Sequence, residues 1–491
     1  MTSASLRTPG IAESAVPALV GGAVLGLFLV MATSTAGDVA EMLALMLAAL
    51  AAMVVVLRPE YGVLALTSTA FLSYPRVLQG SGYLTINNAL GLLLSGLLVV
   101  RLALTRRVEF LESGPIRLFV LVALAVIVNN SLTEEDPSLT TLAALDLSGK
   151  RVQVILSKLA FLVFLVTFIR TRRHVLLLTF SVVGFLLVAA PNAAMNALRA
   201  TGGDVERIRA ASDLGIQGTG NANRLAFLCA VGIALAAYAA REYRSRWVSL
   251  ASGAAITLLV TTIVLSGSRS GVLNLVILCA LLLPGSPPAW RRRLVALVVA
   301  AVLLLGGLLI VAETGHSTPR AEPRGAGVRA QLERITNFMV TERGEEGAGS
   351  LRHRLELLGV GLRILQDHPL VGVGVGNFRW LSVEEYGNRL RSAMHNSYLL
   401  TLVEGGVLLM VPYLLLFRST WSELATTRAL SRRVRAPGLG WLVEATRAMF
   451  VLFLVFSLFA DLWYEVFLYL IVGLTVVLAR LYREAAASRP A

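Results

Sequence analysis

Three short stretches gather the side chains able to do chemistry. In SAMHNSYLLTLVEGG, residues 392–406, His395 and Asn396 stand directly before an apolar run, with Tyr398 and Glu404 on its first turns. An ionisable ring at a membrane boundary costs solvation and adds no packing, whereas a neutral imidazole, with a reference pKa of about 6.5, accepts a proton from a hydroxyl at neutral pH. In VLSGSRSGVLNL, residues 264–275, Arg269 sits between two apolar runs among Ser266, Gly267, Ser268, Ser270 and Gly271. Small neighbours and hydroxyl donors around a guanidinium suit an anion, above all a phosphate, and the bland alternative is an arginine reaching for lipid headgroups. In SLRHRLELLGVGLRILQDHPLVGVGVGNF, residues 350–378, Arg352 and Arg354 are two positions apart on a helix-like segment, so they point in different directions and one of them faces any central cavity. Its Gly372, Gly374 and Gly376 follow a helix and a proline rather than a strand, which argues for a tight loop near the membrane and against a dinucleotide fingerprint. Two arginines and a histidine make a plausible transfer site.

The elements that must position these residues are membrane spans. Of the 491 residues, 56% are hydrophobic and 15% charged, and the mean hydropathy is +0.73. That much apolar surface is hidden by a bilayer, not by a soluble fold. The net charge of +14 reads as arginine-rich cytoplasmic loops rather than as a nucleic-acid surface. Cys229 and Cys279 lie inside apolar runs and imply neither a disulfide nor a metal site, and the stretch before Val16 carries no pattern of a removable signal peptide.

Apolar runs predict an all-α polytopic protein of about fourteen spans. They fall near 16–35, 40–57, 61–76, 84–104, 115–132, 152–170, 175–195, 222–240, 247–266, 269–284, 294–312, 396–416, 441–460 and 464–481. The segment 61–76, with LTSTAFLSYP, is short and polar for a span. Alternate threading places the arginine clusters at Arg101 to Arg107, Arg170 to Arg173, Arg241 to Arg246, Arg291 to Arg293, Arg432 to Arg435 and Arg480 to Arg483 on one side, the cytoplasmic one, with both termini. The chain then divides into spans over 1–312, a large outer loop over 313–395, and the last spans with a cytoplasmic C-terminus over 396–491. The loop is expected to be irregular at first, then helical over AQLERITNFM and LRHRLELLGVGLRILQ, each with an apolar face.

SGSRSG, RLELL with DHPLVGVGVGNF, and HNSYLLTLVEGG resemble, in order and membrane placement, the signature regions of the O-antigen ligase and O-antigen polymerase superfamily. GTGNANRLAFLC is similar to that family's asparagine-containing start of the preceding helix pair. The resemblance covers roughly residues 210 to 410. It implies a helical membrane glycosyltransferase, similar to the GT-C architecture, in the bacterial inner membrane with its site on the periplasmic face. Its donor would be an undecaprenyl-diphosphate-linked glycan and its acceptor a glycan or lipid. By motif position, Arg269 and Arg354 would bind the diphosphate and His395 would activate the acceptor hydroxyl. Ser268, Ser270, Arg352, Asn396, Tyr398, Asn223 and Arg224 would line the substrate. Arg352 competes with Arg354, because Leu358 stands where family members often carry tryptophan.

No metal and no other cofactor is expected, since no outward pair of carboxylates has the spacing of a cation clamp and guanidinium forks can take a divalent ion's place beside a leaving diphosphate. A repeat-unit polymerase of O-antigen, capsule or exopolysaccharide is the leading expectation, with a chain-length regulator as a partner. A ligase to lipid A core and a protein O-oligosaccharyltransferase share the same motifs. A transporter or flippase of an anionic lipid-linked substrate is the rival class. It is disfavoured because no paired broken helices are read in matching halves and the polar residues gather in one outer loop.

Overall fold

The computed structural model describes residues 50–70, 86–133, 142–199, 222–243, 245–266, 268–282, 292, 345–387, 393–434, 439–462 and 465–488. The regular elements among them are all helical. Helices α1 (Pro59–Ala70), α2 (Ile86–Thr105), α3 (Gly114–Leu132), α4 (Leu142–Phe168) and α5 (Arg172–Arg199) form the first group. They are followed by α6 (Ala222–Glu242), α7 (Arg246–Leu265) and α8 (Arg269–Leu282), then by α9 (Glu345–Asp367) and the short α10 (Phe378–Glu384). Helices α11 (Ser397–Arg433), α12 (Gly440–Phe456) and α13 (Val466–Ala487) complete the order.

Among the described residues 6 helices are long and apolar enough to cross a membrane, or 7 if one sharply bent pair is a single span. The chain is thus a multi-pass membrane protein. The expected spans near 16–35 and 294–312 and the segment AQLERITNFM lie outside the described residues. The expected spans 40–57 and 61–76 meet across Arg58 at a bend of 118° between Leu50–Leu57 and Pro59–Thr67, the geometry of a broken span or a re-entrant loop. Pro59 explains the stop, because proline disfavours helical backbone in the residue before it.

Burial separates the helices into an inner and an outer set. The apolar window of α6 is 89% buried and that of α13 is 83% buried, against 39% for α7, so α6 and α13 stand in the middle while α7 turns much of its surface outward, where lipid would lie. Phe227 of α6 stacks on Phe456 of α12 with centroids 4.8 Å apart and meets Phe467 of α13 edge-on at 5.6 Å. Phe119 of α3 meets Tyr469 edge-on at 4.8 Å. At one end of the bundle the arginine clusters converge. Arg101 and Arg170 share Glu109, and Arg480 donates to the carbonyls of Val166, at 2.7 Å, and Ile169, at 2.5 Å.

Helix α11 departs from the sequence expectation of a simple span over 396–416. It runs on to Arg433 and is broken at Gly406, where φ is 59° and ψ is −163°. The strip 369–375 lies along the break. Val373 N–H donates to the Val403 carbonyl at 3.1 Å and Gly374 N–H to that of Glu404 at 2.9 Å, while Val407 N–H donates to Pro369 at 3.1 Å and Leu408 N–H to Leu370 at 3.0 Å. Backbone unwound at membrane depth must be satisfied inside the protein. Asn129 of α3 completes the set: its Nδ2 donates to the carbonyls of Val371 and, at 3.2 Å, Glu404, and its Oδ1 accepts from Val375 N–H at 3.1 Å. Glycine is required where the two backbones cross. A Cβ on Gly372, at φ 74°, would lie 2.6 Å from Glu404 and Gly406 backbone atoms, and one on Gly406 would lie 2.3 Å from the Leu370 carbonyl oxygen.

Candidate active site

The site is built at the start of α11. Asn396 is extended, and its side-chain oxygen accepts from the N–H groups of Tyr398 at 3.1 Å and Leu399 at 3.0 Å, so it caps the helix. Ser397 then staples that cap to the loop between α12 and α13. Its N–H donates to the Ser457 carbonyl at 2.8 Å, its hydroxyl donates to the Ala460 carbonyl at 2.6 Å, and the same oxygen accepts from Leu462 N–H at 2.8 Å. These bonds bring Asp461 under His395. Asp461 Oδ1 accepts from Asn396 N–H at 3.1 Å, and its carboxylate also accepts from the His395 N–H.

His395 adopts a left-handed backbone with φ 57°, a conformation that costs a non-glycine residue on the order of 1–2 kcal/mol. The outcome is that successive N–H groups point at one buried carboxylate while the histidine itself stays exposed. Burial pushes the Asp461 carboxyl above its ordinary range; the charges of His395 and Arg379 and the N–H groups of His395 and Asn396 pull it back. Arg379, on the first turn of α10, and the buried Glu404 line a small cavity with Asp461, Phe378, Met394 and Leu400. Tyr386 ties α10 to the end of α9, with its hydroxyl 2.5 Å from Asp367 Oδ2.

Arg354 is half-buried on α9, and that burial lowers its guanidinium pKa. It shares a helix face with the buried Leu357 and with Gly361, where a Cβ would lie 2.7 Å from the Met394 side chain and 3.3 Å from that of Leu399. This face therefore packs on the start of α11. Arg352 lies two residues back, roughly 200° round the helix, on the side of the exposed Leu355 and Glu356; its side chain is outside the described residues.

The turn before α8 is held by its own hydroxyls. Ser268 N–H donates to Ser266 Oγ at 3.2 Å, Gly271 N–H donates to Ser268 Oγ at 3.1 Å, and the Ser268 and Ser270 hydroxyls are 3.1 Å apart. Arg269 opens α8, with its side chain outside the described residues. A Cβ on Gly271 would lie 2.6 Å from that of Ala226, so the first turns of α6, which carries Arg224, and of α8, which Arg269 opens, touch. Arg224, two residues into α6 and next to Asn223, pairs with Glu465 at 2.7 Å. Burial pushes the Glu465 carboxyl up, and Arg224 and Lys158 draw it down.

The structure thus assembles His395, Asn396 and Tyr398 on one element, with the Arg354 face against it, and gathers Arg224, Ser268, Ser270 and the Arg269 backbone around the α6–α8 contact. Some polar groups expected to meet substrate already have internal bonds: Asn396 caps α11, Ser268 caps α8, and the Tyr398 hydroxyl donates to the Leu454 carbonyl at 2.8 Å. Sequence reasoning missed Asn129, Arg379, Asp461 and Glu465. The available signal was two acids inside the apolar SLFADLWYEVFLYL, and an asparagine ending an apolar run, all costly near a bilayer unless partnered. Among the described residues no three His, Cys, Asp or Glu side chains cluster as metal ligands.

Residues 254–414 match the family model described as O-Antigen ligase. No curated protein matches the chain. The matched stretch holds Arg269, Arg354, Arg379, His395 and Glu404, while Arg224, Asp461 and Glu465 come from outside it.

Proposed function

We propose that this membrane protein, whose residues 254–414 match the family model described as O-Antigen ligase, transfers glycan from an undecaprenyl-diphosphate donor at the periplasmic face of the inner membrane, as a repeat-unit polymerase. The observation that carries this reading is His395, exposed at the mouth of α11 with its backbone N–H bonded to the buried Asp461 carboxylate. In the step, the imidazole takes the proton of the acceptor hydroxyl as its oxygen bonds to the anomeric carbon. The bond from that carbon to the diphosphate breaks, and the electron pair leaves on the phosphate oxygen. Asp461, close enough for its charge to act on His395, stabilises the imidazolium that forms. Arg269 and Arg354 neutralise the leaving diphosphate without a metal ion. The convergence of Arg101, Arg170 and Arg480 at one end supports that end as cytoplasmic.

The test is transfer by purified enzyme with lipid-linked glycan. The wild type is expected to build a ladder of lipid-linked repeats, unchanged by EDTA, and His395→Ala to lose about a hundred- to ten-thousand-fold in rate. EDTA-sensitive transfer, or His395→Ala retaining more than about a tenth of the rate, contradicts the mechanism. Single transfer to lipid A core and no ladder makes the enzyme a ligase.

A further inference from the structure

The cavity beside His395 has a volume of about 10 Å³, room for one oxygen-sized group. Its polar wall is Arg379, Glu404 and Asp461, and its apolar wall is Phe378, Met394 and Leu400. Glu404 is 1% exposed and Asp461 is 6% exposed, whereas Arg379 is exposed at the rim. The break in α11 fixes where Glu404 stands, because its carbonyl is held by Gly374 N–H and Asn129 Nδ2 instead of by the next helical turn.

Two carboxyl groups against one guanidinium make a wall that repels a diphosphate and suits a neutral ligand. A hydroxyl offers one donor and two acceptor positions, matching carboxylate acceptors and guanidinium donors. This deepens, and rests on, the reading of His395 as general base: we propose that the cavity receives a hydroxyl of the acceptor sugar, neighbouring the one that His395 deprotonates, and that Glu404 and Arg379 select the acceptor through it. Only a sugar whose neighbouring hydroxyl reaches the cavity then presents its nucleophile to His395 in line with the donor.

Saturation-transfer NMR on the purified full-length protein in detergent tests this directly, with methyl hexopyranosides and their monodeoxy analogues as probes. Expected is contact from at least one glycoside with the wild type, lost when a single ring hydroxyl is removed and weakened about ten-fold by Glu404→Gln or Arg379→Gln. The exposed Arg379 variant keeps the test decisive where the buried one fails to fold. In the transfer assay, addition of that glycoside is expected to inhibit the wild type more than either variant. The proposal is overturned if no glycoside contacts the wild type, or if the variants discriminate hydroxyl from deoxy sugar as the wild type does. Hydroxyl-dependent binding with no transfer by the wild type leaves the cavity standing and removes the transferase reading. Transfer with unaltered discrimination in the variants does the reverse.

Discussion

Asp461 and Glu465 leave the same loop between α12 and α13, both buried and both pushed upward by that burial, yet their partners differ in kind. Glu465 faces two basic side chains, with the Arg224 guanidinium at 2.7 Å and Lys158 adding to its field. Asp461 faces two backbone N–H groups, a histidine that can gain or lose a proton, and an arginine free of the membrane-spanning helices. A carboxylate matched to fixed charge holds helices together. One matched to a titratable ring on an exposed rim is useful when the charge of that ring changes during turnover. On the proposed reading, catalysis belongs to the Asp461 end and assembly to the Glu465 end of one short segment.

The largest effect that sharpens this contrast is expected from Asp461→Asn. It should cut transfer about a hundred-fold, because the imidazolium loses its counter-charge while the side-chain oxygen still accepts from Asn396 N–H. Stability should move the other way. A carboxyl whose folded pKa is raised contributes stability that is full below its unfolded value and is lost as pH rises through the folded one. Asparagine stays neutral, so thermal melting of the variant should match the wild type in acid and equal or exceed it at neutral pH. A variant that melts early at neutral pH would make Asp461 structural.

Next in size is the arginine pair on α9. Arg354→Lys keeps the charge but loses the planar fork, and transfer is expected to fall at least about ten-fold. Arg352→Lys, on the opposite side of the helix, should stay within about two-fold of the wild type. Equal losses in the two would show that the packed face of α9 does not decide which guanidinium meets the donor.

The smallest expected effect on rate comes from the Glu465 end. Arg224→Met should cost about 1–2 kcal/mol of stability at neutral pH, less than a fully buried pair because the Arg224 side chain is 32% exposed. Removing the cation lifts the Glu465 pKa further, so the deficit should shrink on acidification as that carboxyl takes up a proton. Thermal melts at acid and neutral pH read this out. A large rise in donor KM with unchanged melting would instead put Arg224 on the substrate, as its place in GTGNANRLAFLC implies.

A reporter inserted after Arg293 and another near Gly325 check the sidedness on which the whole contrast depends. The first is expected to read cytoplasmic and the second periplasmic. The same reading from both would separate the loop from the face that carries His395.

The sequence by itself determined the class of protein and most helices. An apolar run long enough for the bilayer is a local property, so 115–132, 222–240 and 247–266 fall close to α3, α6 and α7. The motifs around Arg269, Arg354 and His395 were legible in the same way, as side-chain types within a few positions of one another. Composition and run length carry no information about partners, and there the tertiary structure decided. The break at Gly406 reads in sequence as two glycines inside an apolar run, and it exists because the strip 369–375 and Asn129 supply the hydrogen bonds that the helix gives up. Asn129 meets Val371 across 242 positions, and Asn396 meets Asp461 across 65. Which arginine of α9 lies on the face packed against α11 likewise depends on the neighbour, since helical periodicity fixes only the angle between Arg352 and Arg354 and leaves their direction open. Chain pattern sets what each segment can become; the pairing of buried polar groups, which must be satisfied wherever in the chain their partners lie, sets where the chemistry sits.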